Sequence, residues 1–265
     1  LTSEQIWKSA VTAHFKLRGR SYNEAMAKTY NASNDIWKDA ERRVKDIRTE
    51  PEWTVLDIGP GPGNMAIPLA KLVRSVCCVE PSPVMVNILR KNMDKFGVKN
   101  IKIIESFWED TDIEQLDTSY DIVIASYCLT MVDILPNLKK IKKLADKRVY
   151  FYWFDGETSW DRMKTELYPR VHNEEYVPLP KVDLLIELLR EIGIEPELKY
   201  LNESTFPRSY TDMASAVKDI RQRLFLETNE FDDELKKYIE ENCKFIAEGI
   251  LWEDNTKYVR LLWEK

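Results

Sequence analysis

From residue 53 onward the chain alternates short apolar runs with longer amphipathic stretches. Residues 53–58, 76–79, 101–104, 120–125 and 149–154 are short runs of apolar, often β-branched residues, and each predicts a buried strand. Between them, 65–73, 84–96 and 135–145 repeat apolar residues at helical spacing, and Gly97 stands where a helix C-cap glycine is expected. In 135–145, Leu138, Ile141 and Leu144 form the apolar face, while Lys139, Lys140, Lys142 and Lys143 form a polar face for solvent. Strands alternating with helices of this length predict a mostly parallel sheet covered on both sides.

The alternation loosens beyond the fifth strand. Residues 155–180 predict a helix followed by an aromatic, proline-rich loop, 181–191 a helix ending at Gly193, and 195–201 a strand. Residues 210–226 and 232–248 both read as amphipathic helices, and 256–263 as a last strand. Residues 1–48 also read as helical. Their aromatics Trp7, Phe15, Tyr22, Tyr30 and Trp37 are spaced 8, 7, 8 and 7 residues apart, which lets them share one broad face. Gly19 and the Asn31–Asn34 stretch are expected to break this segment. The organisation is therefore a helical cap over 1–48 and an α/β domain over 49–265, with insertions at about 155–180 and 203–250.

Composition narrows the classes. A chain of 265 residues, 44% hydrophobic and with eight Trp, can fill a substantial core. A net charge of −6 argues against general binding of nucleic acid, which rests on neutralising phosphates. No apolar run approaches the ~18 residues of a membrane span, and the start shows no signal-peptide pattern. Cys77, Cys78, Cys128 and Cys243 form no CxxC pair and are expected to be reduced core thiols of a cytoplasmic protein, with Cys77 and Cys78 facing opposite sides of one strand. His14 and His172 are the only histidines, far apart, so no metal site is expected.

The candidate chemistry lies at the carboxyl ends of the predicted strands, the edge where open α/β sheets bind ligands. Asp57 leads into Gly59-Pro60-Gly61-Pro62-Gly63-Asn64. Glycines there permit positive φ and close approach of a ligand. A dinucleotide fingerprint wants glycine at 64, where Asn64 stands, and Pro60 and Pro62 remove two N–H donors that a phosphate nest would use. Glu80 follows Asp57 by 23 residues at the next strand tip, placed to accept hydrogen bonds from a ribose diol. Ser106-Phe107-Trp108 and Ser126-Tyr127 close the next two strands.

These motifs, in this order, resemble class I S-adenosylmethionine-dependent methyltransferases: Asp57-x-Gly59-x-Gly61-x-Gly63, then Val79-Glu80-Pro81-Ser82-Pro83-Val84-Met85, then Tyr120-Asp121-Ile122-Val123-Ile124-Ala125-Ser126. The resemblance covers roughly residues 53–154. It implies a Rossmann-like, doubly wound, mostly parallel seven-stranded sheet whose last strand is antiparallel, capped by the N-terminal helices and a C-terminal helical insertion. It implies S-adenosyl-L-methionine as cofactor and S-adenosyl-L-homocysteine as product. Asp57 and the loop Gly59, Pro60, Gly61, Gly63, Asn64 would hold the methionine part, with Tyr30 over its carboxylate. Glu80 would hold the ribose, Pro81 and Met85 would pack near the adenine, and Ser126 and Tyr127 would line the channel beside the sulfonium. Where the family often has an acid after the third strand this chain has Phe107, so Ser106, Phe107 and Trp108 would hold the adenine by backbone amides and aromatic packing.

No catalytic base is assigned; His172, Glu157 and Tyr127 are the candidates. The cap segments, with Trp160, Tyr168, Tyr176, Phe206 and Arg208 as liners, favour a small molecule or a narrow peptide tip as acceptor, the small molecule first. A protein or RNA methyltransferase and a non-catalytic binder of the cofactor are the alternatives. A nicotinamide oxidoreductase is disfavoured by Asn64.

Overall fold

A computed structural model of the chain describes residues 1–18 and 24–265. Three helices come first: α1 (Ser3–Arg18), α2 (Glu24–Ala32) and α3 (Asn34–Lys45). The expected break at Asn31–Asn34 is present, with Ser33 capping α3 by accepting from the Ile36 N–H. Gly19 and Tyr22 lie outside the described residues. There follow β1 (Thr54–Ile58), α4 (Ala66–Ala70), β2 (Ser75–Val79), α5 (Pro83–Phe96), β3 (Ile101–Ile104), β4 (Tyr120–Ser126), α6 (Ile134–Leu144) and β5 (Ala145–Asp155). Gly97 ends α5 in the left-handed conformation, φ +67°.

The remainder comprises α7 (Ser159–His172), α8 (Val182–Glu191), β6 (Glu197–Tyr200), β7 (Arg208–Tyr210), α9 (Met213–Arg223), α10 (Asp232–Asn242), β8 (Lys244–Ile246), β9 (Gly249–Trp252) and β10 (Lys257–Glu264). Seven strands form one sheet in the order β3-β2-β1-β4-β5-β10-β6. The contacts β3-β2-β1-β4-β5 are all parallel, and β10 runs antiparallel between β5 and β6.

Strand alternation divides the core in two. Leu56, Ile58, Cys77, Val123, Phe151 and Trp153 pack towards α1, α6 and α8. Val55, Val76, Cys78, Ile122, Ile124 and Tyr152 pack towards α3 and α4. Cys77 and Cys78 thus point to opposite faces, as a period of two requires. The same division corrects the reading of a shared N-terminal aromatic face. Trp7 and Phe15 join the first cluster, Trp7 donating its indole N–H to the Met131 carbonyl at 2.9 Å and stacking on Trp153. Trp37 joins the second and meets Phe96. Three separate helices divide the stripe between the two sides of the sheet.

The insertion before β10 is helical only in part, which corrects the reading of helices over 210–226 and 232–248. The chain enters it as a strand, β7, and α10 stops at Asn242. Lys244 to Trp252 then forms a hairpin pairing in the order β7-β9-β8. Gly249 allows it, because at φ +134° a Cβ would lie 2.0 Å from the Tyr210 carbonyl oxygen. With α7, α9 and α10 this small sheet encloses its own apolar cluster, including Met163, Leu167, Val217, Ile220 and Ile239. Among the described residues no helix is long and apolar enough to cross a membrane.

Candidate active site

The loop after β1 is drawn tight by its backbone. The Gly59 N–H donates to the Val79 carbonyl at 2.9 Å and the Gly63 N–H to the Pro60 carbonyl at 3.0 Å. Gly59, Gly61 and Gly63 have φ of +65°, +57° and +89°. A Cβ on Gly59 would lie 2.6 Å from Cys128 Cβ, and one on Gly63 would lie 2.4 Å from Leu89 Cδ1. A Cβ on Gly61 would enter open space. Two of the three glycines are thus demanded by packing, and the middle one has free space beside it. Pro60 and Asn64 are buried in the loop. Asn92 on α5 braces it by donating to the Pro62 carbonyl and to Asn31 Oδ1, both at 2.9 Å.

Two acids flank this loop. Glu80, at the tip of β2, accepts from the Gly61 N–H at 3.0 Å and the Ser82 N–H at 2.9 Å. Burial raises its pKa, and the two backbone donors partly offset that. Asp57, 1% exposed, has neither carboxylate oxygen hydrogen-bonded. Its pKa is pushed up to about 8, first by burial and next by Glu80, against the pull of Arg43. A buried carboxyl group with no partner calls for a cation or a donor from outside the chain.

A basic and aromatic wall stands opposite. Arg43, from α3, is 4% exposed; its Nε lies 2.8 Å from Asp39 Oδ2, and Nη1 donates to Ser126 Oγ at 2.6 Å. Its guanidinium lies over the rings of Tyr127 and Tyr152, at 5.0 and 4.7 Å. Tyr127 follows β4 at φ +56°, a conformation few side chains adopt, while its N–H still bonds the Tyr152 carbonyl at 3.0 Å. Its ring stacks on Phe154 at 5.0 Å and meets Tyr258 edge-on. The hydroxyls of Tyr127 and Tyr152 are buried with no hydrogen-bond partner, and burial raises both phenol pKa values. Tyr30, half-buried in α2, lies within electrostatic reach of Arg43 and Tyr127.

The remaining expected residues divide. Met85 is buried in the first turn of α5, whose N-cap Ser82 receives the Met85 N–H, and Pro81 is half-exposed beside it. Ser106 Oγ donates to the Phe107 carbonyl, and Phe107 is half-buried. Trp108 sits in the apolar cluster on the α6 side, with Lys140 Nζ 4.2 Å from its ring centre and 2.9 Å from its carbonyl oxygen. Trp160, Phe206 and Arg208 come together in a recess of the insertion. Tyr168 and Tyr176 do not line it; they pack inside the insertion's own core, and the Tyr176 hydroxyl donates to Asp161. His172 Nε2 lies 2.6 Å from the Leu224 carbonyl oxygen with its ring on Tyr168, and Glu157 pairs with Arg162 at the surface. Glu157 follows the tip of β5 with its carboxylate taken by Arg162, and His172 ends α7. Among the described residues no cluster of His, Cys, Asp or Glu could hold a metal. Sequence reasoning missed Arg43 and Asn92; an arginine between Ala40 and Val44 on the apolar face of α3 was the available signal for the first.

Residues 55–146 match the family model of a methyltransferase domain. This segment of the chain carries a methyltransferase domain. The fold agrees with that of a solved candidate methyltransferase of Bacillus halodurans, at TM-score 0.61 and 14% identity, over 86% of this chain and 99% of that one. In sequence it is 25% identical over 183 residues to an uncharacterised protein of Haemophilus influenzae, a match spanning 67% of this chain and 65% of that protein. It is 24% identical over 236 residues to a protein of Thermococcus onnurineus named a probable ribosomal RNA small subunit methyltransferase A, over 80% of this chain and 82% of that one. Two features of the methyltransferase domain fit its cofactor: the unpartnered buried Asp57 and the open space at Gly61.

Proposed function

We propose that this chain is an active methyltransferase that transfers the sulfonium methyl of S-adenosylmethionine to a small-molecule nucleophile. The observation that carries the reading is the acid pair at adjacent strand tips: Asp57, buried with both oxygens free, and Glu80, tied to the loop. An ammonium arriving beside Asp57 favours the ionised carboxylate that burial disfavours, whereas a pyrophosphate would add negative charge next to both acids.

When bound, the cofactor supplies an activated methyl for in-line displacement. The chain's own groups bind, orient and exclude water. Asp57 pairs with the ammonium, and Gly61 leaves room for close approach. Glu80 spends two of its roughly four acceptor sites on Gly61 and Ser82, which leaves two for the ribose hydroxyls. Arg43 and Tyr30 face the methionine carboxylate, and Pro81, Met85, Ser106 and Phe107 flank the adenine. Tyr127, Phe154 and Tyr258 form the aromatic wall that keeps water from the methyl. With its pKa raised, the Tyr127 phenol is a proton donor rather than a base at neutral pH.

The insertion folded against the strand tips supports a small acceptor. The likeness to the T. onnurineus protein favours ribosomal RNA as a second reading. Calorimetry with S-adenosylhomocysteine tests the cofactor: saturable heat is expected, and none would overturn the proposal. Mass spectrometry of a strain lacking the gene separates the acceptors, because a methyl lost from ribosomal RNA overturns the small-molecule reading.

A further inference from the structure

The recess in the insertion is lined by the guanidinium groups of Arg208 and Arg223, which both approach Asp219, and by Glu253 and Asp254. Arg223 forks onto Asp219 at 2.8 and 3.3 Å, and the Tyr210 hydroxyl takes the same carboxylate at 2.7 Å. Arg208 reaches Asp219 only at 3.9 Å, beyond hydrogen-bond range. Burial and the neighbouring Arg223 both make its charge costly. The acids of the recess are already engaged. Asp254 accepts from Ser159 Oγ, the Thr256 N–H, the Phe206 N–H and the Tyr258 hydroxyl, and Glu253 pairs with Lys244 at 2.6 Å. Trp160, Phe206 and Trp252 complete the walls.

The recess connects with the cofactor side through two aromatic steps. Trp160 meets Phe154 at 5.2 Å, and Phe154 meets Tyr127 at 5.0 Å. On the other wall Phe206 meets Tyr258 at 5.1 Å, and Tyr258 meets Tyr127 at 5.7 Å. Trp160 and Phe206, which line the recess with Arg208, are thus each joined to Tyr127 through a single intervening ring. We infer that Arg208 and Arg223 form a subsite for an oxyanionic head group, carboxylate or phosphate, of the methyl acceptor, holding its nucleophile towards Tyr127; this rests on the methyltransferase reading above. Planar guanidinium forks suit two-point binding of such a group. Arg208, whose contact with Asp219 is the longer of the two arginine contacts on that carboxylate, supplies the attraction, and the flanking rings reduce the water that screens it.

The test titrates inorganic phosphate, and separately acetate, into the full chain saturated with S-adenosylhomocysteine. Saturable binding of at least one anion is expected, weakened at least tenfold by Arg208→Gln, with S-adenosylhomocysteine affinity unchanged. The stronger of the two anions identifies the head group. Because Arg208→Gln can also perturb folding of the small sheet, phenylglyoxal labelling of the unmodified protein gives a second readout: phosphate or acetate should protect Arg208 in a peptide map. No saturable binding, or binding indifferent to Arg208 with no protection, overturns the subsite. S-adenosylhomocysteine binding without anion binding sinks the subsite alone. Arg208-dependent anion binding without S-adenosylhomocysteine binding sinks the methyltransferase reading and with it the acceptor role.

Discussion

The Gly61 N–H donates to Glu80 Oε2 at 3.0 Å, latching the loop after β1 onto the tip of β2. The carboxylate proposed to hold the ribose hydroxyls is therefore also a structural tie. Glu80→Gln keeps the size but gives up the charge that makes such bonds strong, worth about 1.5–3 kcal/mol each. S-adenosylhomocysteine affinity is expected to fall at least tenfold, with a lower melting temperature of the free protein. Calorimetry and thermal denaturation on one preparation check both, and unchanged affinity removes Glu80 from the cofactor site.

Asp57 makes the free protein sensitive to pH. Its carboxyl has an ordinary pKa of 3.8 and a folded value of about 8. Between those values the folded protein keeps a proton that the unfolded chain has released, so stability falls as pH rises across the window. Asp57→Asn removes the effect. The variant should match the parent near pH 4 and exceed it by at least about 1 kcal/mol at pH 8, since a tenfold difference in proton affinity between the folded and unfolded chain corresponds to about 1.4 kcal/mol. Urea denaturation at several pH values measures the gap. The same variant should bind S-adenosylmethionine more weakly; a parent with no pH trend in this range contradicts the assignment.

The loop glycines should separate by role. Gly63→Ala places a methyl against Leu89 at 2.4 Å and at positive φ, and is expected to cost about 2 kcal/mol or more. Gly61→Ala meets nothing, so its cost in stability is only the left-handed conformation, about 1–2 kcal/mol. Its larger effect should be on S-adenosylhomocysteine affinity, because the methyl occupies the open space proposed for the ligand. Equal affinity losses for the two variants, scaled to stability, would contradict this division.

Arg43→Met leaves Asp39 buried, with Ser204 Oγ and the more exposed Arg42 as its remaining neighbours. Breaking a buried pair from one side costs about 3–5 kcal/mol. Replacing both members, Arg43→Met with Asp39→Leu, should recover much of that stability but not the cofactor affinity. Chemical denaturation and calorimetry on the three variants give the cycle.

The sheet was readable because its signals are local. Val55 to Ile58 and Ile122 to Ala125 are apolar runs, and the Asp57 loop and Glu80 punctuate strand ends where only a turn or a ligand explains them. The rest depended on distant partners. Arg43 is an ordinary helix residue until α3 packs against the sheet and buries it beside Ser126. The β8–β9 hairpin was hidden because α10 runs helically to Asn242 and the turn depends on Gly249 passing close to Tyr210. The N-terminal aromatics share a helical period, but the period cannot say that α1 and α3 lie on opposite faces.

The placement of β10 has a consequence for the order of assembly on the ribosome. Among the described residues it is the only strand beside β6 and the second neighbour of β5, and it follows both, with the whole insertion between. While the chain emerges, β5 shows a bare hydrogen-bonding edge bearing Phe151 and Trp153, and β6 has nothing to pair with. The insertion, with its separate core, can fold during that interval. Closure of the large sheet must wait until residues 257–264 have cleared the exit tunnel and can pair with β5 on one side and bring in β6 on the other.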